Sequence, residues 1–197
     1  MKIIKINLQK PENKKIKKAA QIIKEGGIVA FPSDTCYGLA ADAKNKKAVE
    51  KIFKIKNRPE QKPISVIVSN LKMAQKYALI DKNIEKEFKK SLPGPYTIIL
   101  PAKKQAKIFT KFKKTISIRI PDFLLTKTLS LKLKSPYTAT SANISGEPPA
   151  WSAKEIIKTF AKQKYKPDLI LDAGKLSQKP LSTIIDFTKE TLSIKKR

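Results

Sequence analysis

Gly26-Gly27-Ile28-Val29-Ala30-Phe31-Pro32-Ser33-Asp34-Thr35-Cys36-Tyr37-Gly38-Leu39 sets a helix stop, a buried strand and a polar loop end to end. The paired glycines close a helix that opens at Pro11, a favoured first helical position. Ile28 to Phe31 is a short apolar run broken by Pro32, which reads as a buried strand. The residues after it carry hydroxyls, a carboxylate and an aromatic ring, and read as a loop. A helix followed by a strand that delivers polar groups to a loop is the building unit of an α/β domain.

The alternation extends both ways. Upstream, Ile3 to Leu8 is a strand. Downstream, Val49, Ile52 and Phe53 predict a helix over Ala48 to Ile55, ended by Asn57-Arg58-Pro59. Ile64 to Val68 is the next strand, two short helices fill Leu71 to Lys90, and Pro93-Gly94-Pro95 turns the chain into a strand over Thr97 to Leu100. A strand over Ile116 to Ile120 stops at Pro121, Asp122 is placed to cap a helix running to Lys134, and Tyr137 to Thr140 feeds the loop Ser141 to Ala150. Ser152 and Glu155 have the spacing of a capping box. Strands over Asp168 to Leu171, Thr183 to Phe187 and near Leu192 complete a mixed sheet flanked by helices. With no repeat and no long linker, residues 1–197 read as a single domain around one core.

Composition narrows the chemistry. With no histidine and one cysteine, Cys36, the common zinc sites and an internal disulfide are excluded, and no histidine can act as a general base. No run approaches the roughly 20 apolar residues of a membrane span and the N-terminus does not read as a signal peptide, so a cytoplasmic protein is expected. The net charge of +27 has two readings. Clustered lysines bind nucleic acid by releasing counterions; equally, an AT-rich genome writes lysine, isoleucine and asparagine into almost any chain. Of 43 basic residues only Arg58, Arg119 and Arg197 are arginine, the side chain whose planar fork grips a carboxylate or phosphate twice.

The glycines spell neither G-x-x-x-x-G-K nor G-x-G-x-x-G, so a bound nucleotide would need another phosphate-holding device. Four strand-to-loop junctions are candidates, each with a plainer alternative. Ser33 to Tyr37 is a reactive loop or a well-bonded turn. Lys56, Arg58 and Lys62 form an anion site or a solvated charged loop. On the strand over Thr115 to Ile120, alternation puts Thr115, Ser117 and Arg119 on one face; a buried Arg119 then awaits a ligand or pairs with an internal carboxylate. Thr138 to Gly146 gathers hydroxyl and amide groups that suit a phosphate or adenine, or ordinary turns.

Six segments in order resemble the YrdC/Sua5 family of threonylcarbamoyl-AMP synthases. Pro32-Ser33-Asp34-Thr35-Cys36-Tyr37-Gly38-Leu39 is similar to its P-T-D-T-x-Y-G-L, Lys56-Asn57-Arg58-Pro59 to K-x-R-P, and Pro93-Gly94-Pro95-Tyr96-Thr97 to P-G-P-x-T. Ile118-Arg119-Ile120-Pro121 resembles V-R-x-P, Ser141-Ala142-Asn143-Ile144-Ser145-Gly146 resembles S-A-N-x-S-G, and Leu181-Ser182-Thr183-Ile184-Ile185-Asp186 resembles P-S-T-V-V-D. The likeness runs from about Ala19 to Phe187.

The resemblance implies a twisted mixed sheet around a basic concave cavity. It implies that L-threonine, bicarbonate and ATP, with Mg2+ accompanying the nucleotide, give threonylcarbamoyl-AMP and pyrophosphate. The product would pass to the transferase machinery that makes N6-threonylcarbamoyladenosine in tRNA. Carried over by residue, Thr35, Arg119, Ala139 and Ser182 bind threonine; Lys56, Arg58, Lys62, Thr115, Ser141, Asn143, Pro149 and Arg197 bind ATP, with Lys56 and Arg58 closest to the chemistry. Lys196 fits the last spacing as well as Arg197. The reaction needs positioned anions and stabilised charge more than a nucleophile, which cations and N–H donors supply.

Two departures from the family pattern are visible: Phe123 and Ile67 stand where relatives often have histidine. Two other readings compete with the synthase, an RNA-binding paralogue of the same fold that takes double-stranded RNA or tRNA without making the adenylate, and a non-catalytic ribosome-assembly factor. Ser141-Ala142-Asn143 and Pro93-Gly94-Pro95 favour the synthase.

Overall fold

The computed structural model describes residues 1–106, 114–189 and 193–195. In chain order these form β1 (Lys2–Lys5), α1 (Asn13–Lys24), β2 (Val29–Pro32), β3 (Tyr37–Ala40), α2 (Lys46–Lys56), β4 (Ser65–Ile67), α3 (Leu71–Tyr77) and α4 (Lys82–Ser91). They continue as β5 (Tyr96–Pro101), β6 (Thr115–Arg119), α5 (Leu124–Leu133), β7 (Tyr137–Ser141), α6 (Ala153–Phe160), β8 (Leu169–Asp172), β9 (Thr183–Asp186) and β10 (Ser193–Lys195). The ten strands make one sheet in the order β1-β8-β2-β3-β7-β4-β6-β5-β9-β10. It is mixed: β1–β8, β8–β2, β4–β6 and β5–β9 run parallel, and the other neighbours antiparallel.

The central strands are buried on both faces, and their period-2 pattern divides the core. Val29, Phe31, Leu169 and Leu171 pack with Ile16 and Ile23 of α1 and Leu125 and Leu129 of α5. Their neighbours Ile28, Ala30 and Ile170 pack the other way, with Ile52 of α2 and Ile156 and Phe160 of α6. A third cluster, with Val66, Ile98, Ile116 and Ile118 from β4, β5 and β6, is closed by Tyr77 and Phe88 of α3 and α4. The sheet therefore carries three apolar clusters where the sequence suggested one.

Helix starts follow side-chain chemistry. The Asn45, Asn70 and Asp81 side chains each accept a backbone N–H at the head of α2, α3 and α4. Asp122 does not cap α5: Phe123 stands at the cap position, with no side-chain cap bond. Ser152 Oγ accepts the Glu155 N–H at 3.2 Å, but the Glu155 carboxylate reaches the Trp151 N–H, at 2.6 Å, so the box closes one residue early. At the N-terminus β1 stops at Lys5 rather than Leu8, because Asn7 Oδ1 accepts the N–H groups of Gln9 and Lys10 and turns the chain. The following helix begins at Asn13 rather than Pro11.

β3 had no counterpart in the sequence reading, which ran a polar loop through Tyr37. All four of its residues are buried, so it shows no alternation. Gly38 suits this close approach, since a Cβ would lie 3.1 Å from the Phe31 ring and 3.3 Å from the Thr140 carbonyl oxygen, and those neighbours would have to give way. Between β8 and β9, residues 173–182 contain no helix or strand, yet they carry the chain from the second to the ninth strand position. Tyr37 fixes the start of this strap: its hydroxyl accepts the Ala173 N–H and donates to the Gly174 carbonyl, both at 2.9 Å. Among the described residues, no helix is long and apolar enough to cross a membrane.

Candidate functional site

The β2–β3 turn is organised by Ser33, whose Oγ donates to the Cys36 carbonyl at 2.6 Å and accepts the Thr35 N–H at 3.3 Å. This turn, the loop before β4, the faces of β5 and β6, the end of β7 and the end of the strap surround a cavity of about 240 Å³. Its polar lining includes Ser33, Thr35, Ser117, Thr140, Ser141 and Ser182, with Arg58 and Arg119. Ile64, Ile67, Ile99, Leu181 and Ile184 form an apolar wall.

Arg119 is 8% exposed and does find an internal carboxylate. Its Nη2 donates to both Oδ1 and Oδ2 of Asp34, each at 2.9 Å. The Nε is buried with no acceptor. Arg58 donates from Nη2 to the Pro63 carbonyl at 2.8 Å, and its Nε is likewise buried without an acceptor. Burial holds the Arg58 guanidinium below its usual pKa. Each of these two guanidinium donors, without an acceptor in the protein, is a ready hydrogen-bond partner for an anion. Burial also pushes the Cys36 thiol up, away from the thiolate form.

Lys56, the last residue of α2, is 1% exposed and does not line the cavity. Its ammonium donates to the Ser141 carbonyl at 2.6 Å and to the Asn143 carbonyl and Oδ1, each at 2.8 Å, which uses all three of its protons. Ser141 Oγ donates to the same Asn143 Oδ1 at 2.6 Å. Burial, and then the charge of Arg58, lower the Lys56 pKa to about 7. Lys56 thus holds the loop after β7 from beneath.

Of the residues expected to bind threonine, Thr35, Arg119, Ala139 and Ser182 all line the cavity. Of the ATP set, Arg58 and Ser141 line it; Lys62, Thr115, Asn143 and Pro149 do not. Thr115 shares the β6 face of Ser117 and Arg119, as alternation predicted, while Ile116 and Ile118 enter the third core cluster. Arg197, like Lys196 and Leu192, lies outside the described residues. Ile67, one of the two positions lacking a histidine, is part of the apolar wall; Phe123 packs against the first core cluster. The sequence reading gave no role to Asp34 or Thr97. Thr97 lines the cavity and shares a 2.8 Å hydroxyl–hydroxyl hydrogen bond with Ser182. Both residues stood inside quoted motifs, but only the fold reveals their partners. Among the described residues no cluster of three or more His, Cys, Asp or Glu side chains could hold a metal.

Comparison with known proteins agrees with this fold. The Sua5/YciO/YrdC family model, described as "Telomere recombination", matches residues 21–197. A Methanocaldococcus jannaschii protein provisionally named threonylcarbamoyl-AMP synthase is 41% identical over 193 residues, covering 97% of this chain and 90% of that one. The crystal structure of Pyrococcus abyssi Sua5 complexed with L-threonine superposes with a TM-score of 0.90 at 33% identity, over 98% of this chain; the match spans 56% of that longer chain. Escherichia coli YciO superposes with a TM-score of 0.88 at 28% identity, over 100% of this chain and 96% of that one.

Proposed function

The chain belongs to the Sua5/YciO/YrdC family, and from that membership and the chemistry of its cavity we propose that it is an L-threonylcarbamoyladenylate synthase. It takes L-threonine, bicarbonate and ATP to threonylcarbamoyl-AMP and pyrophosphate in the cytoplasm, for threonylcarbamoylation of tRNA adenosine by a downstream transferase. The observation that carries the reading is the pair of acceptor-less guanidinium donors, Arg58 Nε and Arg119 Nε, on one hydroxyl-rich cavity.

In this proposal Arg119 takes the threonine carboxylate, and the hydroxyls of Thr35 and Ser182 meet the substrate hydroxyl, with the Ala139 backbone beside them. Arg58 and Ser141 face the ATP phosphates and the reacting carbamate. Threonine's neutral amine adds to carbon dioxide with release of a proton to solvent, or to bicarbonate with loss of water; the resulting carbamate oxygen attacks the α-phosphorus, and pyrophosphate leaves. Fixed donors stabilise the charge that builds on the phosphoryl oxygens. Lys56 supports this set indirectly, through Ser141 and Asn143. Mg2+ enters as part of the nucleotide substrate, bound to phosphate oxygens, a mode that needs few protein ligands.

The test is pyrophosphate release by purified protein with ATP and bicarbonate, with and without L-threonine. Threonine-dependent release supports the synthase. No release, with RNA binding retained, supports the RNA-binding paralogue instead.

A further inference from the structure

The cavity has hydroxyls of two kinds. Those of Ser33, Thr35, Ser141 and the Thr97–Ser182 pair already hold hydrogen bonds within the protein. The hydroxyl of Ser117 makes none among the described residues, although Ser117 is only 9% exposed and lines the cavity. Its direction follows from β6: Ile116 and Ile118 on either side enter the third core cluster, so the Ser117 side chain takes the cavity face with Arg119. A hydroxyl so placed is a ready hydrogen-bond partner for a group that enters the cavity.

The register of the sheet says which group that is. Ile67 pairs with Arg119 on one side and with Tyr137 on the other, and Ser65 pairs with Ala139. One step back along the parallel strands β4 and β6 brings Ser65 beside Ser117, and Ile99 pairs with Ser117 from β5. Ser117, Ser65 and Ala139 therefore form one row across the sheet, about 6.6–6.8 Å from the row that contains Arg119. Beyond this row on the other side come Ser141, two residues past Ala139 on β7, and Pro63, whose carbonyl holds Arg58. Ser117 stands between the guanidinium assigned to the amino-acid carboxylate and the groups assigned to the ATP phosphates.

When the threonine amine takes up carbon dioxide it releases a proton to solvent and becomes a carbamate, whose oxygens extend away from the α-carboxylate. With that carboxylate on Arg119, the extension leads into the row of Ser117 and on toward the phosphates. We propose that Ser117 is a further substrate-binding residue: its Oγ donates to the carbamate oxygen that stays out of the new P–O bond, and so sets the other oxygen toward the α-phosphorus. The ligand class is an N-carboxylated amino acid. This deepens the synthase reading of the site and rests on it.

The experiment compares wild type, Ser117→Ala and Ser117→Thr. It measures threonine-dependent pyrophosphate release as bicarbonate is varied, calorimetric binding of L-threonine alone in bicarbonate-free buffer, and thermal unfolding. Ser117→Ala removes no hydrogen bond within the described residues, so the variant is expected to fold. Threonine should bind it within about twofold of wild type while kcat/KM for bicarbonate falls at least about tenfold, the scale of a lost hydrogen bond to a charged group. Ser117→Thr, which keeps the hydroxyl, should recover part of that loss. Equal loss of threonine affinity and of turnover overturns the assignment and puts Ser117 in the amino-acid site. Unchanged turnover in Ser117→Ala overturns it as well; in both cases the synthase reading stands. A wild type that releases no pyrophosphate with threonine overturns the synthase reading, and this proposal with it.

Discussion

Lys56 and Asn143 are joined twice, since the lysine Nζ lies 2.8 Å from both the main-chain oxygen and the Oδ1 of Asn143. With the bond to Ser141, this fixes the loop after β7 to the end of α2. Lys56→Met keeps much of the length and removes every donor; Asn143 Oδ1 keeps Ser141 Oγ and the Ser141 carbonyl keeps the Asn143 N–H, so the loss falls mainly on the Asn143 carbonyl, at about 1–3 kcal/mol if it is left dry. We expect a folded but less stable protein whose adenylate synthesis falls at least about tenfold. Turnover at the wild-type level would show that the tie is dispensable.

The same lysine gives a pH signature. Its folded-state pKa of about 7 lies below the roughly 10.4 of an unfolded chain. Between these values the unfolded state holds the proton and the folded state does not, so raising the pH stabilises the fold through this group. The gain is at most about 1.4 kcal/mol per pH unit. Urea unfolding of wild type and Lys56→Met at pH 7 and pH 9 should show the wild type gaining relative to the variant. A pH-independent difference would mean that its three carbonyl-type acceptors keep Lys56 charged throughout.

Arg58→Ala should abolish adenylate formation and spare the fold. The side chain is only half-buried and makes one hydrogen bond within the protein, to Pro63, so little structure depends on it. A lost charge-assisted contact to a polyanion corresponds to about 2–5 kcal/mol. The measurement is threonine-dependent pyrophosphate release alongside a thermal melt, and wild-type turnover in a folded variant would remove Arg58 from the site.

Selectivity for the substrate hydroxyl should reside in Thr35 and in the Thr97–Ser182 pair, which supply hydroxyls to the cavity. Wild type should activate threonine well ahead of 2-aminobutyrate, and Ser182→Ala should cut that preference by about tenfold or more. Equal activation of both amino acids by the wild type would show that the pocket does not read the hydroxyl.

RNA retention and catalysis should separate. Lys14 and Lys17 on α1 and Lys158 on α6 are exposed, and none lines the cavity. Replacing all three with glutamine should weaken RNA binding and flatten its salt dependence, to which each neutralised phosphate contributes about −0.7 to −0.9 in log–log slope. Threonine-dependent pyrophosphate release should be unchanged. Parallel loss of both in a folded triple variant would move weight to an RNA-centred role.

Elements with strong local signals were legible in the sequence. Apolar periodicity located α2, and the face assignment of Thr115, Ser117 and Arg119 followed from strand geometry alone. β3 was hidden because a strand covered on both sides loses its alternation, and its glycine and the polar turn before it read as a loop. Thr35, Arg119 and Ser182 lie within contiguous motifs, so their place on one cavity could be expected before the fold was known. The Asp34–Arg119 contact could not, because it joins residues 85 positions apart and depends on how β2 and β6 are arranged in the sheet. The engagement of Lys56 with Ser141 and Asn143 was invisible for the same reason.

The strap from Asp172 to Thr183 crosses seven strand spacings, about 34 Å if the sheet were flat, with a chain that reaches only about 36–40 Å when fully extended. Residues of β2, β3 and β9 line one cavity, so the sheet curves and the strap spans less than the flat distance. It is pinned at both ends, by Tyr37 on Ala173 and Gly174 and by Ser182 on Thr97. The strap is thus a tether whose two anchorages belong to residues beside or within the cavity wall, so a change in either anchorage is felt at the site.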